Sequence, residues 1–219
     1  MNEAASDGRR IGGGVAPTAD KPTRVYETQL IERVRAGDRA ALRELVDLHK
    51  DRLFAFVWRM VRDHHEAEDV CQDAFLKAFG ALSSFSTEYR FSTWLFTIAY
   101  RVCLNRIRRK RALTGEVDFA ALPSGESCMP GAALESQDAA RAKAMVWSAV
   151  DRLTPPQRAT ILLFYRHEMS CRDIAQVIEL PLATVKSHLH RARARLRDEL
   201  ESMNERDLQQ VRNLSQRAG

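Results

Sequence analysis

Between Lys186 and Arg197 the chain carries five lysines or arginines and no acid. A phosphate surface attracts such a run, whereas a solvated helix normally intersperses Glu. Turned at about 100° per residue, a helix here puts Val185, Leu189, Ala192 and Leu196 on one side. The other side then carries Ala183, Thr184, Lys186, Ser187, His190 and Arg191. Short hydroxyls and long cations near a helix N-terminus are the groups that meet base edges and phosphates in a major groove. An ordinary basic amphipathic helix is the plain alternative. A short capped segment and the Pro181 break just upstream weigh against it.

A second cluster mixes rings with cations. Phe85, Tyr89, Phe91, Trp94, Phe96 and Tyr100 are followed by Arg101, Arg106, Arg108, Arg109, Lys110 and Arg111. Unpaired bases stack on flat rings while cations follow the backbone, so this is the chemistry of single-strand capture. Phe91, Trp94 and Ile98 fall on one apolar stripe, which makes Trp94 a core residue before a base platform. Tyr89 and Arg90, in a loop expected over 83–91, are better placed to touch a nucleic acid. The helix after them offers Arg101, Asn105, Arg108 and Arg109.

A third group is acidic: Glu66, Glu68, Asp69 and Asp73, just before Phe75 and Phe79. It reads either as a solvated helix face or as a docking surface for a basic partner. His64, His65 and Cys71 nearby do not make a metal site, because consecutive histidines diverge on a helix and no H-E-x-x-H is present. No metal and no cofactor are expected.

These residues need helices to position them. From about 28 to 112 the apolar residues recur at three-and-four spacing: Leu42, Leu45, Val46, Leu53, Phe56, Val57 and Met60, then Val70, Ala74, Phe75, Phe79 and Leu82. No segment alternates as a half-buried strand does. Thr154-Pro155-Pro156-Gln157 opens a further helix by cap, first-turn proline and capping-box glutamine. Ser170 with Asp173 opens another, short helix with Ile174, Val177 and Ile178 inward. That short helix and the one after Pro181 fit a helix-turn-helix. The expectation is an all-α chain of two small helical domains joined by a flexible linker, the C-terminal one a helix-turn-helix. Its divisions are a disordered tail over 1–25, a helical bundle over 26–114, an acidic linker over 115–140, the helix-turn-helix domain over 141–201 and a polar tail over 202–219.

Composition narrows the classes. The 219 residues are 45% hydrophobic and 29% charged, with a net charge of +5. Four cysteines without a CxxC pair, in a chain with ample core residues, point to reduced thiols rather than a disulfide scaffold. With no signal segment and no long apolar run, a cytoplasmic protein without membrane insertion is expected. Gly12-Gly13-Gly14 lacks the Gly-Lys-Ser/Thr of a phosphate loop, so no nucleotide role follows.

In combination these motifs resemble the extracytoplasmic-function (ECF) group of bacterial sigma factors, over about 28–112 and 141–201. Glu66 to Phe79 looks like the group's polymerase-clamp helix, Phe91 to Ala99 with the basic stretch like its −10-binding segment in sigma region 2, and Leu153 to Arg158 with Thr184 to Arg193 like its −35-binding region 4. The resemblance implies a transcription initiation factor, not an enzyme, that binds core RNA polymerase and promoter DNA and promotes melting. Asp69, Gln72, Asp73 and Phe75 would meet the clamp helices of β′. Tyr89, Arg90, Arg101, Asn105, Arg108 and Arg109 would serve the −10 element, and Thr184, Lys186, Ser187, His190 and Arg191 the −35 element. The C-terminal domain would also touch the β flap, and an anti-sigma factor would mask the chain. The group often has Gly where Glu179 and Ala183 stand, so Glu179 is expected to carry a left-handed turn at some cost. An ordinary helix-turn-helix regulator would instead bind a palindrome as a dimer without polymerase, and the aromatic-basic cluster argues against it.

Overall fold

The computed structural model describes residues 24–114 and 137–217, all but a few turns of it helical. The reading of 1–23 and of 115–136 lies outside the described residues.

The N-terminal unit begins with α1, Arg24–Arg35, and α2, Arg39–Val61. Asp38 starts α2: its carboxylate accepts from the Ala40 and Ala41 amides at 2.8 and 3.2 Å, and Arg33 clamps it from outside. These contacts satisfy orphan first-turn donors and hold the Asp38 carboxyl below its usual range. At the far end Arg62 turns left-handed (φ 64°) and Asp63 at once caps α3, His64–Gly80, accepting from the Glu66 amide at 2.9 Å. This tight corner folds α3 back along α2. A short 3-10 turn, Leu82–Ser84, and a loop lead into α4, Phe91–Thr114. Leu45, Leu53, Phe56 and Val57 of α2 meet Val70 and Ala74 of α3 and Leu95, Phe96 and Ala99 of α4, all essentially without solvent contact. The three-and-four stripes in the sequence are therefore the core face of this bundle. Leu42 and Val46 sit at its half-buried margin.

The C-terminal unit is α5, Gln137–Asp151, α6, Pro155–Ile161, a π turn over Leu162–Arg166, α7, Cys171–Ile178, and α8, Leu182–Arg217. The start of α6 is as expected, with the Gln157 side chain accepting from the Thr154 amide at 3.4 Å. So is that of α7: the Asp173 amide donates to the Ser170 hydroxyl at 3.2 Å and Asp173 reaches back to the Ser170 amide at 3.3 Å. Two boundaries move. The final four residues of the expected linker, 137–140, are already helix. The stretch from 202, expected as a polar tail, continues α8 to Arg217.

The two units press against each other, α7 on α4 and α6 on the end of α2. Arg158 of α6 is buried and donates to the carbonyls of Arg59 and Met60 at 3.5 and 3.3 Å, filling the orphan acceptors at the C-terminus of α2. Arg59 in turn lies between the Trp58 ring (4.4 Å) and the Trp147 ring of α5 (3.6 Å). Among the described residues, no helix is long and apolar enough to cross a membrane.

Candidate nucleic-acid interface

Two surfaces carry the expected residues, one on each unit. On α8, Val185, Leu189 and Ala192 are buried as the rotation argument requires, and Leu196 packs beside them. Lys186, Ser187, His190 and Arg191 are exposed and line one shallow depression of about 530 Å³, with Thr184 half-buried at its edge. Arg191 is steadied by its Nε donating to the Ser187 carbonyl at 3.3 Å. The turn before α8 is made by Glu179, whose φ of 55° is the left-handed value expected for it. Its amide and that of Leu180 both donate to Ala175, closing α7 before Pro181.

On the N-terminal unit, Arg101, Asn105, Arg108 and Arg109 follow i, i+4, i+7, i+8 along one exposed face of α4. Tyr89, 52% exposed, and Arg90 stand in the loop just before that helix. The loop is pinned from beneath: Arg24 donates to the carbonyls of Thr87 and Glu88, and Arg35 to those of Leu82 and Phe85. Phe85 meets Phe91 edge-to-face and Trp94 at a tilt, with centroids 5.7 and 5.0 Å apart. Trp94 is half-buried: its ring rests on the core while it lines a groove of about 540 Å³ with Tyr89, Thr97 and Arg101. The stripe argument and the ring-and-cation argument therefore each describe one side of Trp94.

On α3, Asp69, Gln72 and Asp73 are exposed. Leu76, 71% exposed, continues their face at i+7 and i+4. The residue types alone passed over Leu76, although its place at i+7 from Asp69 and i+3 from Asp73 was visible in the spacing. Phe75 is half-buried and stacks on Phe79 at 5.9 Å. Asp69 also pairs with Arg106 of α4 at 3.0 Å, and Glu66 with Lys110 at 3.7 Å, so α3 and α4 are cross-braced by the acids. His64 and His65 both lie against Glu68, at 3.4 and 3.8 Å. Burial pushes the Cys71 thiol up to about 12 and raises Cys103 as well, which keeps both protonated and unreactive.

The residue types also gave no hint of the joint between the two surfaces. Glu179 of the turn accepts both Nε and Nη2 of Arg101 on α4, a two-point ion pair that lowers the Glu179 carboxyl and raises Arg101. The buried His167 ring stands between Phe96 (4.8 Å) and Phe56 (6.0 Å) of the N-terminal unit.

The same two units appear in known proteins. Sigma-70 region 2 matches residues 45–113 and Sigma-70 region 4 matches residues 143–196. The ECF RNA polymerase sigma factor SigW of Bacillus subtilis is 31% identical over 182 residues, 79% of this chain and 96% of that protein. The RNA polymerase sigma-H factor of Pseudomonas aeruginosa is 32% identical over 179 residues, 78% and 92% of the two chains. Among solved structures, the sigma factor RpoE of Bartonella quintana, in complex with the anti-sigma factor NepR, superposes with TM-score 0.61 and 25% identity, covering 73% of this chain and 96% of that one. CnrH, in complex with the cytosolic domain of CnrY, gives 0.57 and 25%, covering 82% and 97%. With a helix-turn-helix whose cationic face is open and a bundle carrying rings and arginines beside it, the chain belongs to the ECF sigma factors, the factors that direct RNA polymerase to promoters.

Proposed function

We propose that this chain divides promoter recognition between its two faces. Thr184, Lys186, Ser187, His190 and Arg191 enter the major groove of the duplex −35 element, where they fix position. Tyr89, Arg90, Arg101, Asn105, Arg108 and Arg109 hold the −10 element, gripping the strand once it is unpaired. A surface that binds the open strand better than the duplex shifts the melting equilibrium without ATP, so the chain contributes binding and no bond chemistry of its own. Asp69, Gln72, Asp73, Leu76 and Phe75 dock on the β′ clamp helices, and the C-terminal unit on the β flap. Both structural neighbours were captured with a second protein, NepR and CnrY. That supports an anti-sigma factor as the partner that holds this chain inactive, in the cytoplasm where polymerase works.

The observation that carries this reading is the separation of the two cationic faces onto different units, Tyr89 and Trp94 lining a groove with Arg101 on one, and Lys186, Ser187, His190 and Arg191 lining an open depression on the other. The experiment is transcription by sigma-free core polymerase on genomic promoter fragments, with and without the purified chain. Defined new start sites that appear only with the chain are expected. Core polymerase that neither binds the chain nor gains start sites would overturn the reading.

A further inference from the structure

The turn Leu162–Arg166 is the one stretch of π helix among the described residues, closed by the His167 amide donating to the Leu162 carbonyl at 3.2 Å. π geometry is rare and is found frequently at functional sites. Here it sends two successive rings different ways. Phe164 is half-buried against the core, and Tyr165 is 58% exposed. That exposed tyrosine belongs to neither of the two promoter-facing residue sets.

Tyr165 stands over α8. Its hydroxyl accepts from Arg193 Nε at 2.8 Å, and the Arg193 guanidinium carbon lies 5.5 Å from the Tyr165 ring centroid and 5.4 Å from that of Phe164. Arg193 is exposed and has no carboxylate partner among the described residues. A neutral hydroxyl and two rings therefore fix one edge of the guanidinium, leaving its charge uncancelled and its Nη groups to donate. The Tyr165 hydroxyl donates to no described atom, so its proton is available beside them. Planar Nη donors and a phenolic proton around one positive charge match the oxygens of a phosphodiester. Ordering a loose arginine at an interface costs rotamer entropy, and here the fold has already imposed that order.

The place of Arg193 on α8 fits a backbone contact. Turned at about 100° per residue from Val185, Ser187 and Arg191 fall at roughly 200° and 240°, whereas Lys186, His190 and Arg193 fall at roughly 100°, 140° and 80°. The outward side of α8 thus has two flanks, and Arg193 closes one of them next to the inward stripe. The major groove of B-DNA is about 12 Å wide, close to the diameter of a helix with its side chains. A helix seated in it has a backbone strand along each flank. Arg193 lies about 10 Å further along the axis than Lys186, beyond the first turns that meet base edges.

We infer that Tyr165 and Arg193 form a phosphate clamp: one phosphodiester of the duplex backbone sits between the Tyr165 hydroxyl and the Arg193 guanidinium, on the flank of α8 that Lys186 and His190 begin. This rests on the −35 reading above and adds two residues to it, one of them outside the helix-turn-helix. The clamp reads no base. It sets the depth and angle at which α8 sits in the groove.

The test titrates the full chain against a fluorescein-labelled, randomised duplex of about 20 bp between 50 and 200 mM salt, because a phosphate contact is the same at every sequence. Arg193→Ala should weaken binding about five- to twentyfold and lower the salt slope by about 0.9. Arg193→Lys keeps the charge without the fork, so it should retain most of the slope while binding about two- to fivefold more weakly. Tyr165→Phe keeps the ring and should weaken binding by about two- to fivefold, with a much smaller effect in an Arg193→Ala background. Equal losses from Tyr165→Phe with and without Arg193 would separate the two residues and overturn the clamp. So would an Arg193→Ala variant whose slope is unchanged and whose weaker binding follows only from a lower urea midpoint, which would make the pair a structural strut. Arg191→Ala, on the opposite flank, is titrated in parallel. A reduced slope there beside an unmoved Arg193→Ala defeats the clamp alone, whereas unmoved slopes in both defeat the −35 reading of α8 with it.

Discussion

The two cationic helices α4 and α8 carry similar side chains and differ in what lies against them. On α8, Lys186, Ser187, His190 and Arg191 face open space and form an ion pair with no acid of the other unit among the described contacts. On α4, Arg101 is engaged by Glu179, and the groove beside Tyr89 and Trp94 is closed on one side by Gln176 and Glu179. Equal chemistry on two helices thus gives unequal availability. On the proposed reading the duplex-binding surface is open throughout, and the strand-binding surface is open except at Arg101, which Glu179 holds. The difference lies in tertiary packing and not in local sequence, because nothing in the sequence around Arg101 marks it as the residue that the other unit engages.

The largest expected effect comes from the core beneath α4. Phe96 is 1% exposed and packs on both Phe56 and His167. Phe96→Ala should destabilise the N-terminal unit by about 3–5 kcal/mol, read by urea unfolding. Duplex binding through α8 at low temperature should change little, because the ring partners of Phe96, Phe56 and His167, lie outside α8. Equal loss of both activities would erase the distinction between the helices. On the open helix, Arg191→Ala should weaken −35 duplex binding by about five- to a hundredfold and reduce the salt slope by about one. Unchanged titrations would remove Arg191 from the interface.

The joint itself should respond to acid. Burial, with Arg52 and Arg166 nearby, pushes His167 down to about 3 from an ordinary 6.5. The neutral ring is thus the form that fits the closed joint. Its contribution to closure is complete above about pH 6.5 and falls away as pH drops from there toward 3. Lowering the pH from 7.5 to 5.5 should therefore raise the open fraction about tenfold, read as a larger radius of gyration. His167→Phe should abolish the response, and a response that survives it would assign the effect to another group.

The smallest expected effect is on the turn that sets α7. Ser170→Ala removes the hydroxyl that accepts the Asp173 amide. A loss of about 1 kcal/mol in the C-terminal unit is expected from its thermal unfolding, with no change in the N-terminal one.

How much of this could be read from the chain follows from where each force acts. The Ser170–Asp173 cap and the inward side of α8 are set within a few residues, and spacing alone disclosed them; the left-handed Glu179 followed from the family resemblance, whose members often have Gly there. The helix α4 and the apolar stripes of the first bundle were legible for the same reason. The joint was not. His167 and Arg158 have the composition of surface residues, and only packing between units separated by a linker buries them. Trp94 was legible in half, because a stripe argument records the side facing the core and says nothing of the edge left in a groove. The helical start at Gln137 and the continuation of α8 to Arg217 went unread because those stretches are polar and carry no apolar stripe strong enough to declare them.

Permanganate footprinting of a promoter bound by core polymerase and this chain tests the division of labour most directly. The account predicts protection of intact duplex upstream, where α8 binds, and reactive unpaired thymines downstream, where α4 and Tyr89 bind. Reactivity should fall when Arg101, Asn105 and Arg108 are replaced together by Ala. Protection of fully paired DNA at both places, with no reactive thymine between them and the start site, would contradict it.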